Sequence, residues 1–383
     1  MTPLATSTLE SGLPSTDYYA PDFLVEIEGR EIDPASKGDV LEVKVTMDLE
    51  NLTSCELTIN NWDDRAFFFK YSDTKTFDIG NRVHVSMGYA DSLKSMLRGQ
   101  ISAISPRFPE SGPPTINVTV LDGMLKLRDR QPANDDVKRW ENSADWQVAQ
   151  VIATRNGLRA QVTQEGETHA EIIQKNQDDA TFLMERAKRI DFDCYVQTDP
   201  ETGEDVLFFT KPTDGRDAKP VRVYRLVWGE SLINFSPTLT LSRQVESVTV
   251  RGWNPRTKST ITYTATASDL PGASNGGTSG PAAAANSMPG KTQTVIDAPV
   301  ASEEEAKKLA ISLLAERAYE FITGSGKVIG LPDLRPGDNL ELMGLGKRFE
   351  GTYYVKKVEH ALGSSGYMTT FDVRKVFDGG VEG

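Results

Sequence analysis

The sequence predicts a mainly β protein with a small α+β domain inserted between two β-rich regions. Apolar and polar residues alternate with a period of two through residues 23–122, and this pattern of half-buried strands returns after Val221. Between these regions, residues 131–210 contain two segments with the apolar spacing of helices. The chain has 383 residues, so we expect two or three domains.

The first β-rich region is predicted at residues 21–130, after a polar stretch at 1–20 that we expect to be a flexible arm. Its alternating strands predict a small antiparallel barrel or sandwich. Residues 61–71 interrupt the strands. We expect a short helix there, capped by Asn60 or Asn61.

The inserted α+β domain is predicted at residues 131–210. One helix is expected at 143–154 and a second at 177–190, where acidic residues begin the helix and basic residues end it. A strand hairpin follows at 192–209.

The second β-rich region is predicted to combine residues 211–264 with residues 325–377. Between them, 265–324 reads as a flexible loop rich in Gly, Ala, Ser and Pro, followed by a helix that begins at the capping box Ser302–Glu305. No short-period repeat is visible. The two β-rich regions are nevertheless candidates for structural copies whose sequences have diverged.

The last fifty residues predict a three-stranded antiparallel meander. The turn residues Pro336-Gly337-Asp338 precede an alternating strand, a second strand begins at Gly351, and Tyr367 opens a third.

The order of these motifs resembles the closing segment of the phage late control protein D family. The motifs are Pro-Gly-Asp before a strand, Gly351-Thr-Tyr-Tyr-Val ending in Glu359-His360, and Tyr367-x-Thr-x-Phe. That family includes the hub domain of VgrG-type spikes in contractile injection systems. The resemblance spans roughly residues 18–377. Its helix pattern Asn-x-x-Asp-x-x-Phe-Leu-x-Arg is matched from Asn176, except that Glu185 stands where the arginine is expected.

The resemblance implies two tube-like antiparallel β-barrel domains, one on each side of the inserted domain. It also implies a homotrimer whose ring of six barrels joins a hexameric inner tube protein to a trimeric spike protein, beside other baseplate components. The function expected is that of a structural, non-enzymatic baseplate hub of a contractile phage tail, a tailocin or an injection system. A tail-associated cell-wall hydrolase and a glycan-binding module remain the alternatives.

The net charge of −13 and the pI near 4.9 argue against nucleic acid and against an anionic membrane as partners. Residues 1–16 lack the features of a secretory signal, and no apolar run is long enough to span a membrane. We therefore expect synthesis and assembly in the cytoplasm, and later incorporation into a tail or an extracellular particle. Cys55 and Cys194 are expected to be small buried hydrophobes.

No catalytic, cofactor-binding or metal-binding residues are predicted. His84 is expected on a solvated strand face, and His360 in a hydrogen bond at a strand end. His169-Ala-Glu171 lacks the Pro-Cys-x-x-Cys partner of the zinc deaminases. Adjacent acidic residues such as Asp63-Asp64 do not by themselves identify a glycosidase pair.

Trp62, Phe67, Phe68 and Phe69 form the densest aromatic cluster of the sequence. Three consecutive phenylalanines cannot all face one core. We expect two of them to pack inside and the remaining aromatic surface to be an interface anchor.

Overall fold

The computed structural model describes residues 6–11, 20–90, 92–128, 138–199, 201–214, 221–254, 257–270, 277–296 and 300–380. Of the residues that the structure describes, 49% lie in strands and 18% in helices, which confirms the predicted mainly β class.

The elements of the first β-rich region are β1 (Thr6–Ser11), β2 (Pro21–Ile27), β3 (Arg30–Glu31), α1 (Pro34–Asp39), β4 (Val40–Asp48), β5 (Ser54–Asn60), β6 (Trp62–Asp63), β7 (Phe68–Phe69), β8 (Arg82–Tyr89), β9 (Ser92–Arg107) and β10 (Thr115–Asp122). The elements of the middle region are α2 (Leu125–Arg128), β11 (Lys138–Ser143), α3 (Asp145–Arg155), β12 (Arg159–Val162), β13 (His169–Gln174), α4 (Asp179–Arg189), β14 (Asp193–Thr198) and β15 (Asp205–Thr210).

The remaining elements are β16 (Val221–Val227), β17 (Leu232–Leu239), β18 (Ser247–Asn254), β19 (Ser259–Thr266), a 3-10 turn (Ala267–Asp269), α5 (Gly280–Ser287), β20 (Thr292–Val295), α6 (Glu303–Tyr319), β21 (Ile322–Ile329), β22 (Asn339–Met343), β23 (Gly351–Gly363) and β24 (Gly366–Lys375).

The two barrels have the same strand order. In the first barrel, β4-β5-β10-β9-β8-β2 are neighbours, and in the second, β17-β21-β24-β23-β22-β16. Numbered along the chain, both orders are 2-3-6-5-4-1. They differ in one pairing, because β2 is antiparallel to β8 whereas β16 is parallel to β22. The hypothesis of two structural copies is thereby confirmed.

The turn before the fourth strand is also repeated. The N–H of Gly80 donates to the carbonyl of Ile101 at 2.8 Å, and the N–H of Gly337 donates to that of Val355 at 2.9 Å. Both glycines have positive φ, 88° and 91°, a conformation that glycine adopts without strain. The turn chemistry seen at Pro336-Gly337-Asp338 therefore exists twice in the chain.

Each barrel contains two β-bulges, and their matching positions show which residues of the two barrels are equivalent. The second strand bulges at Leu41 in one barrel and at Ile233 in the other, and each of these side chains is 49% exposed. The fifth strand bulges at Ser102 and at Lys356. A bulge inserts one unpaired residue at a defined place, so these positions align the two copies without sequence similarity.

The barrels are joined within the chain by β4 and β23. These strands pair antiparallel from Lys357 opposite Asp48 to Leu362 opposite Val43, and both barrels thereby share one 14-stranded sheet. Separate apolar clusters fill the first and the second barrel. The α+β domain has its own core around α3, α4 and β15.

Residues 247–266 do not extend the second barrel, contrary to the prediction for 211–264. Strands β18 and β19 form a separate three-stranded sheet with β20, and this sheet packs against α6. Val248 and Val250 are fully buried in that contact. A sheet with one apolar face needs a second layer, and α6 provides it.

The flexible loop predicted within 265–324 is also wrong for the part that the structure describes, because residues 277–296 contain α5 and β20. The helix predicted to begin at the capping box Ser302–Glu305 is present as α6. Ser279 caps α5 by accepting the N–H of Ala282 at 3.3 Å. A Cβ on Gly280 would lie 2.0 Å from Gln244 Oε1, so a small residue is required there. The small residues that suggested flexibility instead permit close packing. Residues 271–276 and 297–299 lie outside the described residues.

The predicted flexible arm differs from the structure in its central part. Residues 6–11 form β1, which pairs parallel with β16. The rest of the arm, apart from Ala20, lies outside the described residues.

Candidate interaction surface

The aromatic segment is a short hairpin, not the predicted helix. Trp62 of β6 pairs with Phe69 of β7. Asn61, expected as a helix cap, is fully buried and holds the base of the hairpin: its Oδ1 accepts the N–H of Tyr71 at 2.9 Å, and its carbonyl accepts that of Lys70 at 3.1 Å. These contacts, made with residues about ten positions away, override the local helix signal. We call residues 62–69 the aromatic hairpin.

The tip of the aromatic hairpin is fixed by Asp63. Its Oδ1 accepts the N–H of Arg65 at 2.9 Å and that of Ala66 at 2.8 Å, and these bonds lower the pKa of its carboxyl. Phe67 follows with a φ of +56° and a side chain that is 77% exposed. A phenylalanine in the left-handed region is uncommon and costs free energy. The fold therefore holds this ring in solvent at some cost.

The rings form a continuous edge-to-face array. The ring centroid of Trp62 lies 5.3 Å from that of Phe69 and 6.3 Å from that of Phe67, and Phe69 lies 5.4 Å from Phe108. Phe68 and Phe108 are 51% and 62% exposed. The expectation that two of the three phenylalanines enter the core is wrong: Phe69 is half-buried beneath its neighbours, and the other two face solvent. Sequence reasoning missed Phe108 because it stands alone after β9.

The base of the hairpin is tied to α1. Asp39, the last residue of α1, accepts a hydrogen bond from the Lys70 ammonium at 2.7 Å and one from the Tyr71 hydroxyl at 2.7 Å. Burial raises the pKa of Tyr71 to about 12, which keeps its hydroxyl a donor. The base of the aromatic hairpin, below the exposed rings, is thus attached to α1 by these hydrogen bonds.

The second barrel carries no equivalent aromatic hairpin among its described residues. Residues 61–81 connect the third and fourth strands of the first barrel, whereas the shorter segment 330–338 makes this connection in the second. The hairpin is therefore an addition to one of the two copies.

His84 is not on a solvated face, contrary to the prediction. Its Nδ1 lies 2.7 Å from Glu26 Oε2 and its Nε2 lies 2.7 Å from Ser95 Oγ. It lines a cleft of about 400 Å³ between the first barrel and the α+β domain, together with Asp122 and Asp205.

The carboxylates that line this cleft accept hydrogen bonds from groups of the surrounding fold. Burial raises the pKa of Asp122 to about 7, and its two oxygens accept the N–H groups of Thr53 and Met124 at 3.1 and 3.0 Å. Burial also raises the pKa of Asp205, which accepts the Thr198 hydroxyl at 3.0 Å. Perturbed pKa values of this kind occur at catalytic sites and in structural networks alike.

His360 is fully buried and lies three residues before the end of β23, so the prediction that it ends the strand is wrong. Its Nε2 lies 3.1 Å from the carbonyl of Leu334, and its Nδ1 lies 2.9 Å from the Tyr367 hydroxyl. Burial lowers the pKa of His360 to about 3, so the ring is neutral at pH 7.

His169 joins the α+β domain to α6. Its Nδ1 lies 3.0 Å from Glu305 Oε1, and its Nε2 lies 3.7 Å from Asp145 Oδ2. The nearby carboxylates of Asp145 and Glu305 raise the pKa of His169 to about 9. Within the described ranges, no group of three or more His, Cys, Asp or Glu side chains is arranged to hold a metal ion. None of the helices in this part of the chain is long and apolar enough to cross a membrane.

The fold is that of phage tail proteins. The 43 kDa tail protein of prophage MuSo2 from Shewanella oneidensis superimposes with a TM-score of 0.68 at 14% identity, covering 92% of this chain and 98% of that one. A tail protein from Neisseria meningitidis gives 0.66 at 12% identity, with 93% and 97% covered.

A component of the Escherichia coli type VI secretion system has the same fold. It gives a TM-score of 0.58 at 12% identity, with 91% of this chain and 76% of that chain covered, and it exhibits structural similarity to the T4 bacteriophage tail proteins gp27 and gp5. No curated protein sequence matches this chain.

A family model assigns the chain more narrowly. Residues 19–364 match the model described as the Alg8 N-terminal domain. This match covers most of the chain, which therefore belongs to the Alg8 N-terminal domain family.

Proposed function

We propose that this chain is the hub of a contractile tail or injection particle, of the late control protein D and VgrG type, and that it joins a hexameric inner tube to a trimeric spike. One observation carries the proposal: two copies of the same barrel lie side by side in one continuous sheet. Three such chains carry six barrels. A ring of this kind matches sixfold symmetry on one face and threefold symmetry on the other.

The aromatic hairpin is the proposed anchor for the tube protein. Phe67 and Phe68 offer exposed aromatic area on a platform fixed by buried hydrogen bonds. Rigid aromatic side chains lose little rotamer entropy on binding, and such residues dominate the energetics of interfaces. The described residues of one chain contain a single such hairpin, so a trimeric hub would present three of them.

The test is the mass of the assembly. Light scattering of the purified chain, alone and mixed with the tube and spike proteins of the same particle, is expected to give three copies of the chain in the complex. A chain that stays monomeric with both partners present would contradict the hub proposal.

The hub is proposed to act without catalysis. The cleft that contains His84, Asp122 and Asp205 is the place where a cell-wall hydrolase activity would reside, and the bonds of its carboxylates to the fold favour a structural role. Purified protein is expected to leave peptidoglycan intact. Digestion that disappears in the Asp122→Asn variant would establish the hydrolase instead.

A further inference from the structure

A cavity of about 220 Å³ lies where both barrels, the α+β domain and α6 meet. Leu49 and Glu50, which follow β4, line it from the first barrel, and Lys356 and Arg374 line it from the second. The remaining walls come from α4, β14, the segment between them, and α6. We call this space the junction cavity.

Arg374 of β24 is a buried donor in the wall of the junction cavity. The residue is only 9% exposed, and its guanidinium carbon lies 3.6 Å from the ring centroid of Tyr319 and 4.8 Å from that of Tyr354. Among the described residues, its Nη2 has no hydrogen-bond partner. Buried polar groups almost always have a partner, so this Nη2 requires an acceptor that comes from outside the chain.

The charge of Arg374 is already compensated. Burial by itself would lower the pKa of Arg374, but the neighbouring Tyr319 and Asp193 outweigh burial and raise it. The Tyr319 hydroxyl donates to Asp191 at 2.8 Å, and the Tyr354 hydroxyl donates to Asp193 at 2.5 Å. The Nη2 group therefore needs an acceptor oxygen and not a further counter-ion.

The lining of the junction cavity disfavours an ion of either sign as its occupant. Five carboxylates face three basic side chains, Arg374 and two lysines, and this balance repels an anion. A cation would have to lie beside the buried guanidinium. An ionised carboxylate can accept about four hydrogen bonds, so the acidic side chains can bind donors of a ligand in addition to the bonds they already have. The carboxylates are those of Glu50, Asp191, Asp193, Glu316 and Glu320.

The occupant that fits is therefore neutral and carries groups that both donate and accept. Hydroxyl groups do both, and several hydroxyl groups on one compact ring define a sugar. The volume suits a single six-membered ring, because a protein cavity of ~150 Å³ can hold benzene. Apolar side chains are available for the C–H face of the ring, namely Leu49, Met184, Phe192 and Cys194. Burial raises the pKa of the Cys194 thiol to about 12, so this side chain remains neutral.

We propose that the junction cavity binds one neutral sugar residue. In this arrangement, Arg374 Nη2 donates to an oxygen of the sugar at the buried side of the cavity. Glu316 of α6 accepts from a sugar hydroxyl at the exposed side, where its own side chain is exposed. The site is formed within one chain and does not depend on the assembly of a hub.

Saturation-transfer NMR with the full chain tests the class of ligand. The probes are glucose, galactose, mannose and N-acetylglucosamine, with glucuronic and galacturonic acid as the acidic counterparts of the first two. A single ring held by a few hydrogen bonds is expected to bind in the millimolar range. We expect glucose or galactose to bind, and its acid to bind roughly tenfold more weakly because the lining has a net negative charge.

Two glutamates of α6 provide a matched pair of variants that test the site. Both Glu316 and Glu303 are exposed, and only Glu316 lines the junction cavity. Glu316→Ala is expected to weaken sugar binding roughly fivefold through a lost hydrogen bond, and Glu303→Ala to leave it unchanged. Arg374→Lys keeps the charge but loses the planar set of donors, and is expected to weaken binding by about tenfold or more. Thermal melting shows whether each variant is folded.

Three outcomes would overturn the proposal. If no probe binds at high millimolar concentration, water alone fills the cavity. If the acids bind more tightly than the neutral sugars, the site is for an anion. If the parent chain, Glu316→Ala and Arg374→Lys bind equally well, the sugar lies elsewhere on the chain.

The comparison of Glu316→Ala with Glu303→Ala remains decisive if Arg374→Lys does not fold. The threefold mass expected of the hub in light scattering is the same under all of these outcomes. The sugar site and the hub can therefore fail separately.

Discussion

At the scale of the residue, two features of Phe67 are unfavourable for the free energy of the folded chain: its backbone has positive φ, and its apolar ring is exposed to solvent. Glycine adopts this conformation freely, so Phe67→Gly is expected to keep or raise the free energy of unfolding, by up to about 1 kcal/mol. If the ring anchors the tube, the same variant assembles fewer particles. Thermal melting and particle counts by electron microscopy measure the two effects.

The control for this variant is Phe67→Ala, which removes the ring but keeps the strained backbone. Both variants are expected to lose assembly, and only the glycine variant to gain stability. Normal assembly of both would show that Phe67 is not an anchor.

His360 predicts a pH dependence of stability. Its folded pKa of about 3 is below its ordinary value near 6.5, so the unfolded state binds the proton more strongly. The neutral ring's full contribution is present above pH 6.5 and is lost as the pH falls towards 3. In His360→Gln, the free energy of unfolding at pH 7 is expected to fall by about 1–3 kcal/mol through lost hydrogen bonds.

The His360→Gln variant is also expected to have a smaller slope of stability between pH 6.5 and 5, above the range where most carboxylates titrate. Urea unfolding at several pH values measures this slope. An unchanged slope would mean that the pKa of His360 is the same in the folded and unfolded states.

At the scale of the element, α5 is predicted to be a packed part of the fold. A Cβ at Gly280 would meet Gln244 Oε1 at 2.0 Å and Phe321 Cβ at 2.9 Å. Gln244 is fully buried and donates to the carbonyl of Arg317, so it has little freedom to move. Gly280→Ala is therefore expected to lower the free energy of unfolding by about 1–3 kcal/mol, as overpacking does.

Gly38→Ala is the matched control for this substitution. Gly38 lies in α1, has no atom within 4 Å of its would-be Cβ, and has no positive φ. That variant is expected to be neutral or slightly stabilising. Equal effects of the two substitutions in urea unfolding would contradict the packed position of α5.

The sequence predicted elements well where the signal was local. The alternation at 41–49 and 116–120 identified β4 and β10, and the apolar stripe of 177–190 identified α4, in each case within two residues at each end. The sequence-based prediction failed where contacts between residues distant in the sequence determine the local structure. The hairpin at 62–69 depends on bonds from Asn61 to Tyr71 and Ser72, and α5 depends on space beside Gln244. Neither contact leaves a periodic pattern in the sequence.

At the scale of the whole molecule, sequence comparison within the chain did not reveal the repeated barrel, for a similar reason. The copies share bulges, turns and strand order, which backbone geometry preserves while side chains change. Leu57 in one barrel corresponds to Gly326 in the other, where the Phe371 ring occupies the space of the missing side chain. Exchanges of this kind keep the volume of the core and remove the sequence similarity.

The same equivalence yields a charge test of association between copies. Within the chain Ala361 pairs with Lys44, and the equivalents of these residues in the other barrel are Arg107 and Ser236. If the barrels of neighbouring copies in the proposed ring meet in the same register, Arg107 lies opposite Ser236, and both positions are exposed in the single chain. Ser236→Glu should strengthen association and Ser236→Lys should weaken it, because opposite charges across an antiparallel pair stabilise and like charges destabilise by roughly 0.2–1 kcal/mol. Each contact then changes its dissociation constant by about 1.4-fold to fivefold. Analytical ultracentrifugation at low salt measures the change.

The Arg107→Ala background separates this pairing from a change in net charge. In that background, the two Ser236 variants are expected to associate equally, since the partner charge is gone. Raising the salt concentration is expected to reduce the difference in the parent background, because exposed charge pairs are screened. If Ser236→Glu and Ser236→Lys shift association in the same direction, residue 236 does not face Arg107, and the register between copies must differ from the one within the chain.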